Sequence, residues 1–153
     1  MKNTMSTSSS SHGNRLRILI VEDEALVAME LEYMLESAGN EPVAIADHHD
    51  AAVAAARATR PDIALVDVQL AQGDNGVDVA RSLKELGIPV LFATGNCPGD
   101  RGAEVAIGCL HKPLTDKTLA LGLAAARQVL GGAEPEESSG PVHFYRSTPT
   151  AER

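Results

Sequence analysis

The chain has 153 residues and a formal net charge of −8, and 44% of its residues are hydrophobic, 22% charged and 3% aromatic. This composition is ordinary for a globular protein, and the length suits one domain with a single core. Because an acidic surface repels nucleic acid and so few aromatic side chains can stack on bases, we expect no nucleic-acid binding. The sequence contains no apolar stretch long enough to predict a membrane span.

The two ends of the chain differ in composition from its middle. Residues 1–14 are polar and Ser-rich and lack the apolar stretch of a signal peptide, so we expect a disordered segment and a cytoplasmic protein. Residues 132–153 combine low hydrophobicity with clustered Pro, Ser and Glu, which predicts an unstructured tail. One domain is therefore expected over residues 15–131.

Between these ends, short apolar runs alternate with helical patterns, as is typical of repeated βα units. In chain order, we predict strand 16–21, a helix from 23 or 24 up to Gly39, strand 42–46, helix 50–59, strand 63–68, helix 77–86, strand 89–93, a short helix near 100–106, strand 108–110 and a helix that Thr115 N-caps and that continues to Leu130. This order indicates an α/β fold with a doubly wound, five-stranded parallel sheet. The region after Thr94 is rich in glycine, so its helix is weakly predicted and we expect it to be mobile.

Charged residues follow three of the predicted strands. Glu22 and Asp23 come after RILIV, Asp67 after IALV, and Lys112 lies in CLHKPL. The carboxyl ends of parallel strands meet at one edge of a sheet, so three carboxylates and one ammonium should converge there. Such crowded carboxylates indicate a site for a divalent cation and a phosphoryl group.

With these residues in place, the chain resembles the receiver domain of bacterial two-component response regulators over residues 15–131. The resemblance rests on the acidic pair Glu22-Asp23, on Asp67, on Thr94-Gly95 and on Lys112-Pro113, each at a strand end. The LFATG stretch is similar to a subgroup of stand-alone receivers with a FATG signature. The resemblance implies a flavodoxin-like sheet with strand order 2-1-3-4-5.

The resemblance also implies a chemistry for the site. Asp67 would be the phosphoacceptor and would attack the phosphorus of a kinase phosphohistidine in line. The Thr94 hydroxyl and the Lys112 ammonium would contact the phosphoryl oxygens. The ligands of an Mg²⁺ ion would be the side chains of Glu22, Asp23 and Asp67 and the backbone carbonyl of Gln69.

The partners implied by the resemblance are a sensor histidine kinase or a histidine phosphotransfer protein, together with a downstream protein target. The domain would serve signalling and would not be an enzyme beyond its own phosphotransfer and dephosphorylation. In this family the peptide bond after the lysine is commonly cis, which Lys112-Pro113 permits.

The sequence departs from the family at Cys109, where receivers usually carry an aromatic residue whose ring rotation accompanies phosphorylation. Cys97 and Cys109 have neither the spacing of a zinc site nor that of a disulfide framework, so we expect both to be reduced thiols. His48, His49 and His111 match no zinc pattern and are expected at the surface.

A second class of protein also uses a strand-end aspartate. Rossmann-like phosphatases employ it as a nucleophile, but they commonly place a second aspartate two residues later as the general acid. Here that position is Gln69, so repeated hydrolysis is disfavoured without being excluded.

Overall fold

The computed structural model describes residues 15–70, 73–133 and 140–145. The strands are β1 (Arg17–Val21), β2 (Glu41–Ala46), β3 (Ile63–Val66), β4 (Val90–Thr94), β5 (Gly108–His111) and β6 (Val142–Phe144). The helices are α1 (Ala25–Ser37), α2 (His49–Thr59), α3 (Gly76–Glu85), α4 (Asp100–Ala103) and α5 (Asp116–Leu130). No helix within these ranges is long and apolar enough to cross a membrane.

The strands form one sheet in the order β2-β1-β3-β4-β5-β6. The first five strands are parallel, which confirms the predicted fold class and strand order. The sixth strand is antiparallel to β5 and was not predicted. The sheet therefore has six strands, with the parallel part intact.

The sixth strand corrects the prediction of an unstructured tail over residues 132–153, which is wrong for residues 142–144. Phe144 is buried among the core side chains, and Val142 packs against the same cluster. The average composition of the tail is polar, but it contains the short stretch PVHFY. Its apolar side chains pack on the core while its backbone pairs with β5. The predicted N-terminal segment 1–14 lies outside the described residues.

Helices cover both faces of the sheet, as buried parallel strands require. On one face α1 and α5 pack on β1, β3, β4 and β5 through residues such as Leu31, Leu119 and Leu123. On the other face α2 and α3 bring Ala52, Ala56 and Leu83 to the sheet. The alanines of α2 are small, so that helix contacts the edge strand β2 closely.

Two loops end in side-chain caps that fix where the following helices begin. The Asn75 side chain accepts a hydrogen bond from the Val77 amide at 2.7 Å, and Thr115 accepts one from the Thr118 amide at 3.0 Å. The predicted Thr115 cap is therefore confirmed. Each cap satisfies an amide that the helix leaves unpaired.

The two cysteines differ from their expected state, because Cys97 and Cys109 form a disulfide. The prediction of two reduced thiols is wrong in this structure. The loop after β4 folds back beside β5, which brings the two Cα atoms to 6.1 Å and within bridging range. Spacing along the chain could not reveal this contact, since it depends on the pairing of β4 with β5.

Candidate functional site

The predicted charged residues meet at the carboxyl edge of the parallel sheet. Glu22 follows β1, Asp67 follows β3 and Thr94 ends β4, and all three are buried. Backbone hydrogen bonds hold this edge together, because the Asp67 amide donates to the Val21 carbonyl and the Lys112 amide donates to the Thr94 carbonyl, each at 3.0 Å. We call Glu22, Asp23 and Asp67 the acid pocket.

Lys112 supplies the positive charge of the site. Its Nζ lies 2.6 Å from Glu22 Oε1 and 3.0 Å from Asp67 Oδ2, so one ammonium bridges two carboxylates from different strands. The lysine follows β5, which places it two strands away from Asp67 in the sheet. The peptide bond between Lys112 and Pro113 is cis.

Two residues of this bridge, Glu22 and Lys112, have shifted pKa values. Burial raises the pKa of Glu22, and the Lys112 ammonium and the Glu24 amide only partly offset that effect. Burial is also the largest single influence on Lys112 and lowers its pKa, but its hydrogen bonds and charge interactions with Glu22 and Asp67 together prevail, so the pKa is raised. The ammonium therefore stays charged in the pocket.

The second oxygens of both bridged carboxylates accept backbone hydrogen bonds. Asp67 Oδ1 accepts from the Gln69 amide at 3.1 Å, and Glu22 Oε2 accepts from the Glu24 amide at 3.2 Å. Each carboxylate is thus oriented by one backbone donor and one ammonium contact. Such fixed side chains lose little conformational freedom when a ligand binds.

The first residue of α3, Gly76, is a part of the site that the sequence reasoning did not single out. A Cβ atom at this position would collide with the carbonyl oxygen of Asp67 and with Cα of Val68. Its amide donates to the Val68 carbonyl at 2.7 Å. Glycine therefore lets the start of α3 lie directly against the backbone of Asp67, and the only sequence signal was its place in the turn-rich DNG segment.

The acid pocket has the donor set of a hard cation. One carboxylate oxygen from each of Glu22, Asp23 and Asp67 lies within 4.8 Å of the others, and hard divalent ions such as Mg²⁺ bind oxygen ligands of this kind. Asp23 is half-buried and the other two residues are buried. The described residues at this edge therefore fit a bound cation, and the carbonyl of Gln69 stays a predicted ligand.

Thr94 lies beside the pocket at the end of β4. It is paired with His111 of β5, and Oγ1 lies 3.5 Å from the Asn96 amide, a long contact. The hydroxyl is thus held only weakly by its own loop. Asp67, Lys112 and Thr94, which the sequence predicts to act together, all lie at this one edge of the sheet.

The fold and this arrangement agree with the family comparison. The model of the response regulator receiver domain matches residues 18–123, which is most of the chain. The chain therefore belongs to the response regulator receiver domain family.

Among curated relatives, the phyllosphere-induced regulator PhyR of Methylorubrum extorquens is 42% identical over 79 residues, which cover 50% of this chain and 30% of the relative. The DNA-binding response regulator MtrA of Mycolicibacterium paratuberculosis is 40% identical over 81 residues, covering 52% of this chain and 35% of the relative. The chain thus matches about a third of the length of these relatives.

Solved structures give the same fold. The signal receiver domain of a modulated diguanylate cyclase from Desulfovibrio desulfuricans G20 superposes with a TM-score of 0.69 at 34% identity, covering 76% of this chain and 96% of that domain. The receiver domain of PhyR from Erythrobacter litoralis gives a TM-score of 0.63 at 28% identity, covering 82% of this chain and 97% of that domain.

Proposed function

We propose that this chain is a phosphoacceptor in two-component or phosphorelay signalling, that Asp67 receives the phosphoryl group and that the protein is cytoplasmic. The observation that carries the proposal is the Lys112 ammonium 3.0 Å from Asp67 Oδ2, inside a pocket of three carboxylates. A lone ammonium among three carboxylates leaves the pocket negative, so it accommodates a cation as well. Once Asp67 becomes an acyl phosphate, its charge moves outward onto the phosphoryl oxygens, within reach of the same lysine.

In the proposed reaction, a carboxylate oxygen of Asp67 attacks the phosphorus of a phosphohistidine. The new O–P bond forms as the P–N bond breaks, and the imidazole leaves with the electron pair of that bond. The Lys112 ammonium and the Thr94 hydroxyl donate to the phosphoryl oxygens, where negative charge is concentrated. No protein group has to lose a proton for this transfer, which suits a carboxylate nucleophile.

Mg²⁺ fits the acid pocket, where Glu22, Asp23, Asp67 and the Gln69 carbonyl would hold it. When bound, it neutralises charge on the carboxylates and on the phosphoryl oxygens. Glu22 already engages Lys112 and the Glu24 amide, so the half-buried Asp23 is the freest of the three carboxylates to meet an ion.

The experiment uses intact-mass spectrometry after incubation with acetyl phosphate and Mg²⁺. We expect a single phosphoryl adduct that hydroxylamine removes, as for an acyl phosphate, and its loss in Asp67→Asn or on chelation of Mg²⁺. Asp78→Asn is the matched control, because Asp78 is exposed and pairs with Arg81 away from the pocket. An undiminished adduct in Asp67→Asn contradicts the assignment.

The same incubation separates this proposal from the phosphatase alternative. A receiver accumulates at most one phosphoryl group on each chain and releases phosphate only as fast as that adduct decays. A phosphatase releases many equivalents of phosphate for each chain. Sustained turnover would therefore favour the phosphatase.

The proposed kinase or phosphotransfer partner has to contact the surface around Asp67, and α1 begins near that surface, two residues after Asp23. Leu26, Met29 and Tyr33 share one face of α1 and are 80%, 59% and 71% exposed. An apolar face of this kind beside the pocket suits the protein that delivers the phosphoryl group. A downstream protein target completes the proposed set of partners, and the acidic chain is not expected to bind nucleic acid.

A charge placed on this face tests the docking surface. Leu26→Glu should slow phosphotransfer from the phosphorylated kinase while labelling by acetyl phosphate stays as in the parent protein. Leu130→Glu, at the far end of α5, is the matched control and should leave both rates unchanged. Equal kinase rates in the parent protein and Leu26→Glu would rule out this face.

A further inference from the structure

The two cysteines of the chain lie on either side of the loop that follows Thr94. Cys97 belongs to the segment 95–99 between β4 and α4, and Cys109 lies in β5 opposite Phe92 of β4. Their disulfide closes a ring of chain that contains the whole of α4. We call residues 95–99 the switch loop; they follow Thr94 directly and include Cys97.

The disulfide fastens the switch loop to the core of the domain. Cys109 is fully buried, and Cys97 is partly buried against the same core cluster. A second tie comes from the C-terminal segment, where the Tyr145 hydroxyl donates to the Pro98 carbonyl at 2.6 Å. One covalent bond to β5 and one neutral hydrogen bond to the C-terminal segment therefore act on the same short loop.

These two ties differ in how they respond to a ligand. A neutral hydrogen bond can exchange with water at little net cost. If Thr94 moves toward the phosphoryl group, the hydrogen bond between Tyr145 and Pro98 can therefore break. A disulfide does not open in response to binding, because only thiol chemistry breaks it. The state of the cysteines thus decides how far the switch loop can follow Thr94.

We propose that Cys97 and Cys109 form a reversible thiol–disulfide modification site that controls whether the switch loop moves when Asp67 is phosphorylated. The inference rests on the proposed phosphoacceptor function. With the disulfide closed, the phosphoryl group still enters the pocket but the loop keeps its position against β5. With the disulfide open, the covalent link to β5 is gone, the Tyr145 hydrogen bond can break, and the loop follows Thr94.

The chemistry needs a cellular dithiol as the reductant. A thiolate of the dithiol attacks Sγ of the partly exposed Cys97, the bond between the cysteines breaks, and Cys109 leaves as a thiolate that takes up a proton. The second thiol of the dithiol then releases Cys97, so two electrons and two protons pass to the cysteine pair and the dithiol becomes a disulfide. Oxidation is the reverse reaction with a disulfide as the oxidant.

The surroundings of the pair suit reversal. Cys109 is fully buried, so after reduction it stays in the core as a small apolar side chain. Cys97, nearer the surface, remains the sulfur that an incoming thiolate reaches. In the cytoplasmic location that we propose, disulfides are rare, and those that form are usually catalytic or redox-sensing.

The test compares the chain oxidised with glutathione disulfide and the chain reduced with dithiothreitol, each with and without acetyl phosphate and Mg²⁺. A non-reducing peptide map reports the Cys97–Cys109 bond, intact mass reports the phosphoryl adduct, and amide hydrogen exchange reports residues 95–109. We expect adduct in both forms, together with a several-fold change in exchange on phosphorylation that occurs in the reduced form and is lost in the oxidised form.

Cys97→Ser serves as the second variant, because this partly exposed position tolerates serine better than the fully buried Cys109. It should respond to phosphorylation like the reduced chain whatever oxidant is present. An adduct in both forms with the same exchange response, or a peptide map without the bond after oxidation, overturns the redox inference alone. Absence of any adduct in either form overturns the proposed function, and the inference falls with it.

Discussion

The acid pocket and the switch loop lie at the same edge of the sheet, yet different forces hold them. In the pocket, Lys112 bridges two buried carboxylates, so part of the local stability depends on balancing charge. Around the switch loop, the disulfide and the hydrogen bond from the Tyr145 hydroxyl are contacts that do not involve charge. Binding of a cation or a phosphoryl group should therefore change the stability of the pocket. The position of the loop should instead depend on reduction of the disulfide and on the Tyr145 hydrogen bond.

The largest expected effect comes from removing the charge balance of the pocket with Lys112→Met. Two buried carboxylates then lose their partner, and the free energy of unfolding should fall by about 3–4 kcal/mol, as for a broken buried ion pair. Urea unfolding measures the loss, and Mg²⁺ should restore more stability to this variant than to the parent protein. Lys117→Met, an exposed lysine on α5, is the control, and an equal loss there would contradict the interpretation.

Gly76→Ala should be the next most damaging change, because it forces α3 away from the backbone of Asp67. The added methyl group meets backbone atoms that cannot move aside, so we expect a loss of about 3 kcal/mol, at the upper end for overpacking. Slower labelling by acetyl phosphate should accompany it, since Asp67 shifts with the loop. Gly131→Ala is the control with ordinary space for a Cβ, and its unfolding free energy should barely change.

In the C-terminal segment that also carries Tyr145, Phe144→Ala tests how much β6 stabilises the domain. Phenylalanine-to-alanine changes in a core typically cost about 3–5 kcal/mol, but β6 can detach without unfolding the rest, so we expect about 2 kcal/mol. Phe92→Ala in the central strand β4 provides the contrast and should show the full cost. Equal losses for the two variants would mean that β6 unfolds together with the whole domain.

The smallest effect is expected for Tyr145→Phe, which removes the hydrogen bond to Pro98 and leaves the ring in place. The loss should be about 1 kcal/mol, with faster amide exchange in residues 95–99. Tyr33→Phe is the matched control, because Tyr33 is exposed on α1. An unchanged exchange rate in Tyr145→Phe would show that the hydroxyl does not hold the loop.

The pKa of Tyr145 provides an independent measurement of how deeply this side chain is buried. Burial raises this pKa above its ordinary value of 10.0, since the phenolate is poorly solvated there. The corresponding stability is therefore fully present below the pKa of an unfolded tyrosine and is lost as the pH rises through the higher folded value. Spectrophotometric titration in the Tyr33→Phe background follows Tyr145 alone, because the chain has two tyrosines.

The parallel part of the fold could be predicted because its signals are local. Apolar runs predict strands over residues 16–21, 63–68 and 89–93, where β1, β3 and β4 lie, and Thr115 marks the start of α5. The charged residues could be placed at one edge because parallel strands all end there. The hydrophobic pattern and the topology of a parallel sheet were therefore sufficient to predict the five parallel strands and the edge where the charged residues meet.

The remaining features depend on contacts between distant parts of the chain. The β6 strand has only three residues and lies in a polar segment, so its composition does not predict a strand. It forms because it pairs with β5, a contact that is visible only in the folded structure. The disulfide likewise depends on how the loop after β4 returns to β5. Gly76 looked like one more turn glycine, and only its approach to the backbone of Asp67 gives it a specific part in the site.

The pairing of β6 with β5 also changes how the sheet meets other molecules. Without it, β5 would be an edge strand with a row of unpaired amides and carbonyls, which can template intermolecular sheet formation. Gly108 has no side chain where the His143 carbonyl approaches, and a Cβ there would lie 2.7 Å from that oxygen, so the edge is shaped to receive the chain's own segment. The outermost strand on this side is then only three residues long, so this edge offers another sheet little backbone to pair with.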